Sequence, residues 1–167
     1  MRRDGLAKGG IVTLAALVVL ALDQATKAVV QDTMTLGESI PLLPVLSLTY
    51  VRIPGAAFGL LGGLPPGVRF PLLLAVTVVA LGVLVQLARE TPTARWATLL
   101  AIGGVLGGAA GNLVCRVRYG EVVDFVHLHW GTWYWPMFNV ADSAITVGVI
   151  VVAISSLRGD AERSSPA

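Results

Sequence analysis

Four stretches of the chain are apolar almost without interruption: residues 11–30, 70–88, 96–114 and 140–157. None shows the charged face of a surface helix or the strict alternation of a half-buried strand. At about 1.5 Å rise per residue, roughly 20 residues cross a hydrocarbon core about 30 Å thick, so each stretch predicts a transmembrane helix. The segments between them, 31–69 and 115–139, are different in kind. The first carries Pro41, Pro44, Pro54, Pro65 and Pro66, and within it Leu46-Ser-Leu-Thr-Tyr-Val-Arg52 alternates apolar and polar positions as a short strand does. Gly55-Ala-Ala-Phe-Gly59 follows, small enough for close backbone approach. This segment is expected to form a small sheet on the membrane surface. The second holds Trp130, Trp133 and Trp135 with Tyr134 and Phe138, rings that prefer the headgroup zone, and is expected to lie along the interface, with Trp96 marking the opposite one.

Composition agrees with that pattern. Of 167 residues, 55% are hydrophobic and 13% charged, and the mean hydropathy is +0.78. The expected class is an all-α membrane protein: four transmembrane helices, a small extracytoplasmic β-sheet and an interfacial aromatic segment, in one integral-membrane domain over 1–167. Arg2, Arg3 and Lys8 before the first span resemble a secretory leader. Ala21 to Lys27 is a poor small-residue cleavage site, however, so an uncleaved helix is expected. One set of ends would hold Arg2, Arg3, Lys8, Arg89, Arg95, Arg158 and Arg163, the other Arg52, Arg69, Arg116 and Arg118, with Lys27 near the helix end. That bias places both termini in the cytoplasm. A net charge of +2 gives no reason to expect nucleic acid, and the single Cys115 excludes an intrachain disulfide.

In the third span, glycines 103, 107 and 111, and again 104 and 108, recur every fourth residue, a stripe that lets helices pack closely in lipid. The chemistry stands out against this background. Asp124 sits in Val-Val-Asp-Phe-Val, and Asp142 in Phe-Asn-Val-Ala-Asp-Ser at the start of the last span. Carboxylates near a bilayer need a partner, water or a role. Singly, each has an ordinary explanation: Asp142 as a helix cap three residues after Asn139, Asp124 as an ion-pair partner of Arg116 or Arg118. Together they can converge, share one proton, and supply a general base and a general acid. Asp23 and Lys27 lie one turn apart and read equally as an intrahelical ion pair or as part of the site. Asn112 and Asn139 can orient amides, and Arg116 can neutralise a carboxylate or hold a lipid headgroup. His127 and His129 share a strand face, but two ligands without a third make a weak zinc site, so no metal and no cofactor are expected.

These residues fall in four blocks: Asp23-Gln-Ala-Thr-Lys27; Arg52-x-x-Gly-Ala-Ala-Phe58; Gly107-Gly-Ala-Ala-Gly-Asn-Leu113 continuing to Arg116 and Gly120-x-Val-Val-Asp-Phe125; and Phe138-Asn-Val-Ala-Asp-Ser-Ala144. In that order they resemble type II signal peptidase, the bacterial lipoprotein signal peptidase. The resemblance implies that Asp124 and Asp142 are the catalytic pair of an aspartic endopeptidase. It implies supporting or substrate-binding roles for Asp23, Lys27, Gly55, Asn112, Arg116, Asn139 and Ala141, and an aromatic segment able to move over the site. The implied substrate is a lipid-modified prolipoprotein cut before its diacylglyceryl cysteine, by an enzyme expected to be a monomer among the lipids of the bacterial inner membrane. Two positions depart from the family pattern: Ile53 stands where it has Asn, and Cys115 where it has Asp, which opens the thiol to reaction if exposed. The departures leave a catalytically impaired, lipoprotein-binding homologue as an alternative. A small proton-coupled carrier using the intramembrane charges is a second, disfavoured by four spans without repeated halves.

Overall fold

The computed structural model describes residues 2–55, 61 and 63–164, with the side chains of 2–4 and 158–164 left aside. The Ala56-Ala-Phe-Gly59 part of the small-residue run lies outside the described residues. Among the described residues four helices form: α1 Arg2–Thr33, α2 Pro66–Glu90, α3 Trp96–Tyr119 and α4 Val140–Ser164. All four have segments long and apolar enough to cross a membrane. They overrun the expected limits. Helix α1 continues to Thr33 rather than 30, α2 starts at Pro66 rather than 70, and α3 runs five residues past 114 to Tyr119. The reason lies in the terminal residues, since hydropathy ends where polar side chains begin whereas hydrogen bonding ends at a cap. Pro65 and Pro66 open α2. Helix α3 ends only at Gly120, whose φ of +71° allows its N–H to reach Arg116 O at 2.9 Å.

Helix α3 is the centre of the bundle. More than half of its most apolar stretch is fully buried, whereas those of α1, α2 and α4 hold few or no fully buried residues. The glycine stripe explains how it can be surrounded. A Cβ at Gly103 or Gly107 would strike the α1 backbone at Val12 or Ala16, and one at Gly108 would strike Ala141 O of α4. Gly148 of α4 returns the contact against Ala101 and Val105. Gly104, although part of the repeat, faces no neighbour. Backbones thus approach where lipid offers no hydrophobic drive and only close packing remains.

At one end of the bundle stands an antiparallel sheet in the order β1-β2-β3-β4: Ser39–Leu43, Leu46–Ile53, Val122–Trp130 and Trp133–Tyr134. The 46–52 strand forms as expected, but the sheet is not confined to the first inter-helix segment, because β3 and β4 come from the second. Val51 pairs with Asp124, Arg52 with Val123 and Ile53 with Val122. Beneath the sheet, Val30, Met34, Tyr50, Cys115, Val122, Val123 and Phe125 make an apolar cluster that joins it to α1 and α3. Cys115, at 2% exposure, belongs to this cluster and is not an exposed thiol. Trp130, Trp133 and Tyr134 stand outward on β3 and β4.

Candidate active site

Asp124 is carried to the bundle by β3, between the buried Val123 and Phe125. Just before α4 the chain comes back to β3: Phe125 and Val126 both donate to Phe138 O (3.1 and 2.9 Å), and Phe138 N–H returns to Val126 O at 3.1 Å. That bridge sets the next residue, Asn139, against Asp124. Asn139 is buried and ties the two acids together. Its side-chain amide donates to Asp124 Oδ1 at 2.6 Å and Val123 O at 3.2 Å. Its backbone N–H donates to Asp142 Oδ2 at 3.2 Å, and Asp142 N–H donates back to Asn139 Oδ1 at 3.0 Å. The last two bonds form a reciprocal capping box at the start of α4. Asp142 is therefore the cap that its spacing implies and also a member of the cluster.

Behind the pair lies a second buried layer. Lys27 Nζ donates to Asp23 Oδ2 at 2.9 Å and to Asn112 Oδ1 at 2.8 Å. Asn112 Nδ2 donates onward to Asp142 Oδ1 at 2.8 Å. Asp23 Oδ1 accepts the backbone N–H of Ala141 at 3.0 Å. Both explanations of Asp23 and Lys27 thus hold at once: they are an ion pair one turn apart, and that pair supports the site. Burying both side chains, at 1% and 0% exposure, is costly unless each finds partners of this quality. An ammonium can only donate, so it forces the Asn112 oxygen toward itself and turns the amide N–H toward Asp142.

Arg116 stands at the cavity wall and donates to Gly55 O at 3.3 Å, while its buried Nε finds no hydrogen-bond partner among the described residues. Direct pairing of Asp124 with Arg116 or Arg118 is not seen among the described residues. His127 and His129 do share a strand face, with ring centroids 5.2 Å apart, and bond to Thr49 (3.4 Å) and Ser47 (3.0 Å) of β2, away from the acids. The sequence had not singled out Gln24, which bridges Asp23 Oδ2 and Gly111 O at 3.0 and 3.1 Å. Nor had it given Gly111 a role beyond packing, yet a Cβ there would collide with the Asp23 carboxylate.

Asp124 and Asp142 open onto one cavity of about 690 Å³. The acids and Asn112 line it together with Arg116, Gly55 and Ile53; the rest of the lining is largely apolar, from Leu128, Met137, Phe138, Ile145 and Val147. A large apolar pocket with a few convergent polar groups is the usual form of a ligand site. Burial, and then the nearby charge of Asp142, pushes the Asp124 carboxyl up from its ordinary 3.8 to about 7. The Asn139 hydrogen bond and the charges of Lys27 and Arg116 oppose that rise. Near neutrality this acid can hold or release a proton at little cost, the property required of an acid–base catalyst.

A sequence model of the family described as Signal peptidase (SPase) II matches residues 15–158, most of the chain. The chain belongs to that family. It is 44% identical over 146 residues to a lipoprotein signal peptidase of Geobacter sulfurreducens, covering 87% of this chain and 90% of that one. To a lipoprotein signal peptidase of Geobacillus thermodenitrificans it is 47% identical over 143 residues, 84% and 86% of the two chains. Its fold matches a bacterial membrane enzyme solved by the in meso method at 2.3 Å, with TM-score 0.81, 32% identity and coverage of 95% and 94%. A second such structure, at 1.9 Å, matches with TM-score 0.75 and 34% identity over 89% of this chain and 93% of the other. As a member of the signal peptidase II family with four helices able to cross a membrane, the chain is a multi-pass bacterial membrane protease. Neither the carrier nor the inactive-homologue alternative finds support in these relationships.

Proposed function

We propose that Asp124 and Asp142 are the catalytic dyad of a single-domain, membrane-embedded aspartic endopeptidase. It removes signal peptides from diacylglyceryl-modified prolipoproteins by cutting before the lipidated cysteine. The observation that carries this assignment is Asn139, which holds both carboxylates in the lining of a largely apolar cavity. Asp142, facing the amide N–H that Lys27 orients through Asn112, is the charged partner and takes a proton from water. The water oxygen adds to the scissile carbonyl while Asp124 gives its proton to the carbonyl oxygen. Collapse of the tetrahedral species expels the amine, which leaves with the proton held by Asp142, while a hydroxyl of the diol returns its proton to Asp124; one peptide bond is hydrolysed by one water and both carboxyls are back in their starting states. Arg116 and Gly55 line the approach, and the apolar walls suit a lipid-anchored segment, so positioning of the peptide supplies much of the rate. The reaction calls for no cofactor, and the enzyme acts as a monomer. The positive-inside bias puts both termini in the cytoplasm and the sheet, with the dyad, at the extracytoplasmic face.

The test is a mobility-shift assay with purified protein and a diacylglyceryl-modified prolipoprotein. Release of the signal peptide by the wild type and its loss in Asp124→Asn and Asp142→Asn is the expected result. Cleavage of the unlipidated precursor at an equal rate would remove the proposed substrate class.

A further inference from the structure

A second groove, of about 510 Å³, shares no lining residue with the dyad cavity. It lies between the last turns of α1 and the end of α3, at the sheet end of the bundle; its lining is mixed, with the polar Gln24, Lys27, Gln31, Asp32 and Arg118 set among Ala25, Ala28, Cys115 and Tyr119. Lys27 forms its buried base and is already engaged by Asp23 and Asn112. Asp32 and Arg118 are different. Both are exposed, both line the groove, and neither makes an ion pair with a described residue, including each other. The Arg118 guanidinium lies 5.6 Å from the Tyr119 ring centroid, which steadies its position. The flanking surfaces are apolar and outward-facing, with Leu22 and Val29 on α1 and Val117 on α3 exposed.

One groove that presents a cation and a separate anion, at the point where apolar helix surface ends, matches a ligand with two headgroup charges and acyl chains. We infer that this groove holds the headgroup of one phosphatidylethanolamine molecule, its phosphate against Arg118 and its primary ammonium against Asp32. A phosphatidylglycerol headgroup has no cation for Asp32. The quaternary ammonium of phosphatidylcholine has no N–H to donate to it. The acyl chains lie on the apolar flanks formed by Leu22, Val29 and Val117. The site is separate from the peptidase assignment and stands or falls without it.

Delipidated protein is reconstituted in nanodiscs of equal phosphatidylethanolamine, phosphatidylglycerol and phosphatidylcholine, released gently, and its retained lipid identified by native mass spectrometry. The wild type is expected to keep one phosphatidylethanolamine in preference to the others. Asp32→Asn should reduce that preference over phosphatidylcholine by roughly five-fold, and Arg118→Gln should lower retention of all three by a similar factor. Both side chains are exposed, so the melting temperature of the delipidated variants should match wild type. Equal retention of the three lipids by the wild type, or retention unchanged in both variants, overturns the inference. A soluble O-phosphoethanolamine probe should fail to displace the lipid; displacement would overturn the assignment of a membrane lipid as the occupant.

Discussion

The Asp23 carboxylate of α1 accepts the backbone N–H of Ala141 in the first turn of α4 at 3.0 Å, a bond between residues 118 apart in sequence. The same carboxylate neutralises Lys27 through its other oxygen. One side chain therefore satisfies an orphan donor at a helix start and holds the ammonium that orients Asn112 toward Asp142. Gly111 makes room for it, and Gln24 closes its remaining side.

Asp23→Ala should consequently cost stability as well as rate. It leaves Lys27 buried without its ion partner, a loss of about 3 kcal/mol or more, which corresponds to a melting temperature lowered by about 6–12 °C. Thermal unfolding in detergent checks this. A melting temperature equal to that of the wild type would mean that the Asp23–Lys27 pair does not contribute to stability.

Asp124→Asn and Asp142→Asn should each abolish cleavage of lipidated substrate, by at least about 10³-fold. Each substitution is close in size to the acid it replaces. Asn at 142 can keep the capping bond to Asn139 N–H but turns its own amide N–H toward that of Asn112, so Asp142→Asn should fold with a small loss of stability and Asp124→Asn with less. A variant that retained more than a few per cent of wild-type activity would show that its carboxylate is a structural group only.

The raised Asp124 carboxyl predicts a pH dependence whose direction is set by proton binding. Between its ordinary 3.8 and about 7, the folded protein holds a proton there that the unfolded chain has released. Stability contributed by this group therefore falls as pH rises through that window. Cleavage should also decline above about pH 7, because Asp124 must be protonated to act as the acid. Asp124→Asn, though inactive, should be more stable than wild type at alkaline pH and lose that advantage toward pH 4. Parallel melting curves across the range would refute the account if the difference stayed constant or reversed.

How much of this was legible in the sequence depends on range. The spans followed from hydropathy alone, and the Asn139–Asp142 capping box from a three-residue spacing. The convergence of Asp124 on Asp142 was visible only as two carboxylates that would otherwise be too costly to bury. What remained hidden was long-range pairing. The 52–123 register and the Phe138–Val126 bridge decide that Asn139 faces Asp124, and neither leaves a local signature. Helix ends were misjudged because hydropathy does not record caps such as Gly120. The glycine repeat indicated close packing but could not distinguish Gly111, pressed on a carboxylate, from Gly104, facing nothing.

Topology gives an independent check on where the dyad works. A reporter fused after Thr93, in the short turn between α2 and α3, should read cytoplasmic, and one after Gly131, between β3 and β4, extracytoplasmic. A cytoplasmic signal at Gly131 would put Asp124 on the wrong side for a secreted precursor and would end the proposed function.

Ile53 is the position within the cavity where the sequence resemblance leads one to expect a departure from the family pattern. It ends β2 opposite Val122 and lines the dyad cavity near Gly55, whose carbonyl receives Arg116. The resemblance calls for Asn here, a side chain able to donate to and accept from a peptide in the cavity. An isoleucine offers neither bond, and a peptide amide held against it is left unsatisfied, a cost of about 1–3 kcal/mol. That converts to roughly a five- to hundred-fold loss in efficiency. Ile53→Asn should therefore raise kcat/KM for the lipidated substrate by a factor in that range. Thermal stability should barely change, because the side chain is only half-buried at a strand end and its replacement meets a partly open cavity. Steady-state kinetics of the two proteins decides the matter. If kcat/KM is the same in both, Ile53 contributes only its shape, and the peptide takes its hydrogen bonds from another part of the cavity.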